Sequence, residues 1–165
     1  GWFRLRISST SAQAEKTGWT TYDVIVPDFR SMPMSLSGVI VSVTPAVPSA
    51  PRELFAGLLP VVPTVQREFR NTDRATAYFQ IYRTAPPQES TTVNIRIVDA
   101  TDAIVATETV MMASEQFKGG AGLYTAPVQF DLPLAKLAPG RYLITFEVLR
   151  DGRSLRRDRS RRPIQ

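Results

Sequence analysis

The chain has 165 residues, 43% of them apolar, and a formal net charge of +5; that length suits one domain, or one domain and a piece of another, and the apolar share excludes a disordered chain. It contains no cysteine and no histidine, which excludes disulfides, thiolate zinc sites and Ser-His-Asp or Cys-His catalysis within this segment. The charge sits in one place: residues 150–165 carry seven arginines against two aspartates, and the other 13 basic and 13 acidic side chains cancel.

In chain order, residues 2–8 read as a strand because Phe3, Leu5 and Ile7 alternate with polar neighbours. The polar run 8–18 reads as a long loop, and 19–26 as a returning strand stopped by Pro27-Asp28. Residues 30–35, with Met32-Pro33, read as a linker, and 36–43 as a third strand. Residues 44–51 hold three prolines and predict an exposed loop. A single helical turn is predicted at 54–59. Pro60 and Pro63 then hold the chain extended along a sheet edge. Residues 75–83 form a strong strand pattern, with Ala77, Phe79 and Ile81 opposing Tyr78 and Tyr82. Strands at 91–99 and 104–111 flank a turn at 100–102. Residues 113–122 read as a loop and 123–132 as a strand interrupted by Pro127. A helical turn is expected at 133–137, a core strand at 140–148, and a last strand at 153–159 after Asp151-Gly152. No apolar run reaches membrane-spanning length.

Short strands separated by turn signals predict an all-β fold, an immunoglobulin- or fibronectin III-like antiparallel β-sandwich. Residues 1–7 are a near-copy of 140–146: with Gly1 laid on Gly140, Phe3, Leu5 and Ile7 match Tyr142, Ile144 and Phe146. A lone hairpin cannot bury its own apolar face. The repeat therefore predicts that residues 1–29 are the terminal hairpin of a preceding sandwich of the same kind, 30–35 a linker, and 36–165 a complete sandwich with a basic tail. Ala138-Pro139-Gly140-Arg141-Tyr142 also fits a tyrosine corner, a Tyr at a strand start whose hydroxyl folds back on the preceding backbone.

The phrases Gly1-Trp2-Phe3-Arg4-Leu5-Arg6-Ile7, Lys16-Thr17-Gly18-Trp19, Val26-Pro27-Asp28-Phe29, Leu36-Ser37-Gly38-Val39 and Pro139-Gly140-Arg141-Tyr142-Leu143 resemble the C-terminal region of bacterial proteins that carry a von Willebrand factor A-like domain upstream. The resemblance implies an exported, multidomain protein, in the periplasm, on the cell surface or secreted, whose sandwich modules act in adhesion or assembly. The Asp-x-Ser-x-Ser metal motif of such A domains is absent from this chain, so no metal site carries over.

Three groups of side chains are candidates for function. Glu53, Glu68 and Asp73, and separately Asp99 and Asp102, suit turns and edges better than a Ca²⁺ or acid/base site, since no EF-hand spacing is present. Trp2, Trp19 and Tyr22 form either a sugar-stacking face or, preferred here, the plug of a domain interface. Arg156, Arg157, Arg159, Arg161 and Arg162 suit a solvated edge strand and tail, with an anionic polymer as the alternative partner; no aromatic interleaving supports single-stranded nucleic acid. The expectation is a non-catalytic module with protein partners, no cofactor, no nucleic acid and no transmembrane segment.

Overall fold

The computed structural model describes residues 1–45, 53, 55–150, 153–154 and 163–164, the last two stretches and residue 150 by their backbone only. The protein is an all-β sandwich with a separate hairpin. Its strands are β1 (Trp2–Ser11), β2 (Lys16–Ile25), β3 (Met34–Leu36), β4 (Ile40–Thr44), β5 (Arg74–Arg83), β6 (Thr91–Val98), β7 (Ile104–Met112), β8 (Lys118–Gly120), β9 (Leu123–Asp131), β10 (Tyr142–Arg150), β11 (Arg153–Ser154) and β12 (Pro163–Ile164). One sheet runs β3-β5-β9-β8, with β4 following β3 along the same edge of β5. The other runs β11-β10-β6-β7, with β12 also on β10. Among the described residues β1 and β2 pair only with each other. All these pairings are antiparallel.

The two sheets meet where the alternating patterns place their apolar sides. Ala77, Phe79 and Ile81 of β5 and Ala126, Val128 and Phe130 of β9 face Val93, Ile95 and Ile97 of β6 and Ile144, Phe146 and Val148 of β10, in one buried cluster. Phe146 joins them, with ring centroids 4.9 Å from Phe79 and 6.4 Å from Phe130.

Several expectations shift, each for a local reason. The hairpin has a four-residue turn at 12–15 rather than a long loop. Its polar run stays in the ladder because Thr10 and Thr17 bond across the strands, Oγ1 to Oγ1 at 3.0 Å, and serine and threonine suit a strand that is wet on both faces. The third strand is split. At residues 37–39 the ladder bulges, and the Ser37 Oγ accepts the Gln80 amide at 2.9 Å in place of a backbone carbonyl. The segment read as a linker, 30–35, is docked, because β3 begins inside it at Met34; just before it Phe29 stacks on Tyr82 with centroids 4.1 Å apart, and Asp28 accepts the Arg30 amide to close a turn. β8 lies in what reads as a loop, placed by Gly119 at φ +136°, where any Cβ would strike the Leu123 carbonyl. β9 runs unbroken through Pro127. Its partner Gln80 aims its own amide and carbonyl at Ser37, so the pair makes no bonds between β5 and β9, and the missing donor of Pro127 faces the outer edge. The expected last strand is seen at 153–154; residues 155–162 lie outside the described residues, and 163–164 return to β10 at its other end.

The extended segment after the helical turn does follow a sheet edge, with the Thr64 amide on the Val41 carbonyl at 2.9 Å. The tyrosine corner is present: the Tyr142 hydroxyl donates to the Ala138 carbonyl at 2.6 Å. A Cβ on Gly140 would sit 3.5 Å from that hydroxyl, in ordinary contact. Tyr142→Phe removes one hydrogen bond and little volume, so a loss of about 1 kcal/mol is expected in urea unfolding, with an unchanged m-value.

Asp99 organises the β6–β7 turn. Its Oδ1 accepts the Thr101 hydroxyl at 2.7 Å and the amides of Thr101 and Ala103 at 2.8 and 3.1 Å. The Thr101 hydroxyl, then its amide, hold the carboxyl below the usual aspartate value of 3.8. A depressed folded-state pKa means the turn's contribution is complete above that ordinary value and is lost as pH falls through the lower one. Amide exchange at Thr101 and Ala103 should therefore accelerate, beyond its intrinsic pH dependence, only in acid, whereas Asp99→Ala should show the acceleration at neutral pH.

Candidate interaction surface on the amino-terminal hairpin

In the hairpin, register decides which side chains share a face. Trp2 pairs with Ile25, Arg4 with Asp23, Arg6 with Thr21 and Ser8 with Trp19. In the alternate pairs Phe3 meets Val24, Leu5 meets Tyr22 and Ile7 meets Thr20. Paired residues lie on one side of an antiparallel ribbon and successive residues alternate. One face is thus Phe3, Leu5, Ile7, Tyr22 and Val24, almost purely apolar. The other is a ladder of charge and indole. Arg4 grips Asp23 through Nε at 2.7 Å and Nη2 at 3.3 Å, which raises its pKa further above the usual value. The Arg4 guanidinium lies 5.0 Å from the Trp2 ring and that of Arg6 4.8 Å from the Trp19 ring.

The apolar face is bare. Phe3 is 55% exposed, Leu5 50%, Ile7 60% and Tyr22 68%. Every residue of β1 and β2 except Val24 is exposed. The ladder closes at its open end through the Gly1 and Val26 backbones, so the ribbon is whole and regular from its turn to its tether.

This geometry divides the aromatic set expected to act together. Trp2 and Trp19 share the charged face; Tyr22 is on the opposite one. Six residue steps along β1 separate Trp2 from Ser8, the partner of Trp19, a span of about 20 Å, and each indole already carries a guanidinium. The three rings cannot stack on one sugar. The register that shows this follows from the turn at 12–15, which composition alone conceals.

The other candidates fall elsewhere. The Asp73 Oδ2 accepts the Arg70 amide at 2.8 Å and closes a turn, as Asp99 does. Among the described residues no three Asp or Glu side chains come together as a metal site. Arg156, Arg157, Arg159, Arg161 and Arg162 lie outside the described residues. Among the described residues no helix is long and apolar enough to cross a membrane. No protein-family model matches the chain, and no curated protein matches it.

Proposed function

We propose that the chain is a non-catalytic interaction module of an exported bacterial multidomain protein, an immunoglobulin-like sandwich whose amino-terminal hairpin completes a neighbouring β-sandwich. The bare apolar face of the hairpin carries this reading. Phe3, Leu5, Ile7 and Tyr22 each leave half or more of their surface in water, about 1 kcal/mol apiece of unused burial, and an isolated two-stranded ribbon is marginal on its own. The opposite face is built as the solvent side of a sheet, with a salt bridge, a threonine pair and cation–π contacts. A ribbon apolar on one side and charged on the other is half of one sandwich sheet.

Two further observations support the reading. The apolar set of β1 repeats that of β10, whose Ile144 and Phe146 pack across the sandwich while its backbone pairs with β6. β1 has the same use for a strand like β6 and a facing sheet. The order of the main sandwich, β4-β5-β9-β8 against β11-β10-β6-β7, follows the A-B-E-D and G-F-C-C′ order of immunoglobulin sandwiches, with the tyrosine corner at the start of strand F. Export and a bacterial source rest on the resemblance of the strand phrases to the C-terminal regions of A-domain proteins.

Hydrogen exchange on the longest natural polypeptide containing this chain tests the proposal. The β1 and β2 amides should exchange together with a preceding sandwich and as slowly as its core strands. Leu5→Asp should open them and expose dye-binding apolar surface, with β5, β6, β9 and β10 unchanged. Fast exchange of β1 and β2 in the natural protein, insensitive to Leu5→Asp, would overturn it.

A further inference from the structure

The outer face of β5 carries a feature unrelated to the hairpin. Outward-facing side chains of a sandwich sheet usually meet solvent, yet Tyr78 is only 3% exposed. Tyr78, Gln80 and Tyr82 form a bonded row: the Tyr82 hydroxyl donates to Gln80 Oε1 at 2.9 Å, and Gln80 Nε2 donates to the Tyr78 hydroxyl at 2.8 Å. The row lines an open cleft of about 530 Å³ whose apolar walls include Val39, Pro63 and Val65. That volume falls within the range of small-ligand sites, and apolar walls around a few convergent polar groups are their usual composition.

The row keeps spare capacity. Gln80 retains a second amide proton and a second lone pair, and the Tyr78 hydroxyl, accepting from Gln80, keeps its own proton to give. Burial, and to a lesser degree the neighbouring Tyr78, push the Tyr82 hydroxyl above its usual pKa, so it keeps the proton that it donates to Gln80. Phe29 stacked on Tyr82 fixes the end of the row, which lowers the ordering cost of binding.

The occupant follows by elimination. A peptide added as a strand needs free backbone, and here β5 has none: the Gln80 amide and carbonyl are taken by Ser37, and the opposite edge of β5 by β9. Among the described residues an anion would find one cation, Arg67, already donating through Nη1 to the Gln66 carbonyl. A wholly apolar ligand would strand the remaining donors and acceptor of the row. A ligand with both hydroxyls and C–H faces satisfies floor and walls together. We propose that this cleft is a binding site for a neutral saccharide, its hydroxyls exchanging hydrogen bonds with Gln80 and Tyr78 and its C–H face lying on Val39, Pro63 and Val65.

The test is an NMR titration of the whole chain with cellohexaose, maltohexaose, xylohexaose and chitohexaose, each to about 5 mM, a concentration that reveals sites of millimolar affinity. At least one should shift the Gln80 side-chain amide together with the backbone of Gly38, Val39 and Tyr82. Gln80→Leu, which keeps the volume, should weaken that binding about tenfold or more, the equivalent of one lost hydrogen bond, and Trp19→Ala should leave it unchanged. If Gln80→Leu does not fold, Tyr82→Phe takes its place and should weaken binding in the same direction. No shift with any of the four sugars, shifts confined to the Trp2 and Trp19 indoles, or undiminished affinity in a folded Gln80→Leu protein would overturn the proposal. Apart from indole shifts, these outcomes leave the reading of the hairpin untouched, since the cleft lies on different strands.

Discussion

Replacing Phe146 by alanine is expected to destabilise the sandwich by about 4 kcal/mol, the range for emptying a buried phenylalanine site. Phe146 is 4% exposed and touches rings from both β5 and β9, so the void opens where the sheets meet and neither can close on it without moving the other. Against a total of about 5–15 kcal/mol, that removes much of the margin. Urea unfolding should show the midpoint falling with the m-value unchanged. The contrast is Ile7, which stands in β1 where Phe146 stands in β10. With 60% of its surface in water, Ile7→Ala should change this chain's own stability by no more than about 0.5 kcal/mol. Equal losses at the two positions would mean that the hairpin is already packed and that no neighbour is needed.

Arg83→Ala is expected to cost about 3 kcal/mol, for a different reason. Arg83 ends β5 and is 4% exposed. Its Nη1 donates to the fully buried Thr91 hydroxyl at 3.2 Å, and its guanidinium lies 5.6 Å from the Phe117 ring. It thus links β5, β6 and the turn before β8. Removal leaves a hole, deprives a buried hydroxyl of its donor and takes a cation from the Phe117 ring, each destabilising. Arg83→Met should recover part of the loss by filling the space. Arg83→Lys should recover little, because a lysine ammonium cannot lie flat against the ring. A loss below about 1 kcal/mol for Arg83→Ala in thermal or urea unfolding would refute this account.

The two positions also show where the sequence was legible. Phe146 follows from period-two alternation alone, as do the other inward residues of β5, β6, β9 and β10, because a buried face leaves an unambiguous pattern. The same alternation places Arg83 inward, after Ala77, Phe79 and Ile81, but its charge argues for solvent and the ring that receives it is 34 residues away. Local patterns do not report such partners. The hairpin shows the converse. Its strands, its apolar set and its likeness to β10 are readable. The separation of Tyr22 from Trp2 and Trp19 is not, because it depends on register, and register was hidden by a polar run that continues as strand. The row on β5 is illegible for a similar reason: Tyr78 and Tyr82 mark the outward face, but only the chain folded over them from residues 58–65 makes that face a cleft.

The stack of Phe29 on Tyr82 has a mechanical consequence. Val26 is the last residue tied to the hairpin and Phe29 the first fixed to the sandwich, so three residue steps, at most about 11 Å of chain, separate the two. Any domain built around the hairpin is leashed that closely to this one. At such a short tether the local concentration of one neighbour at the other is high and independent of dilution. On the proposed reading, contact between such a neighbour and this sandwich requires little affinity of its own, and bending between them is confined to the stretch around Pro27, since Asp28 already closes a turn on Arg30 and Ser31.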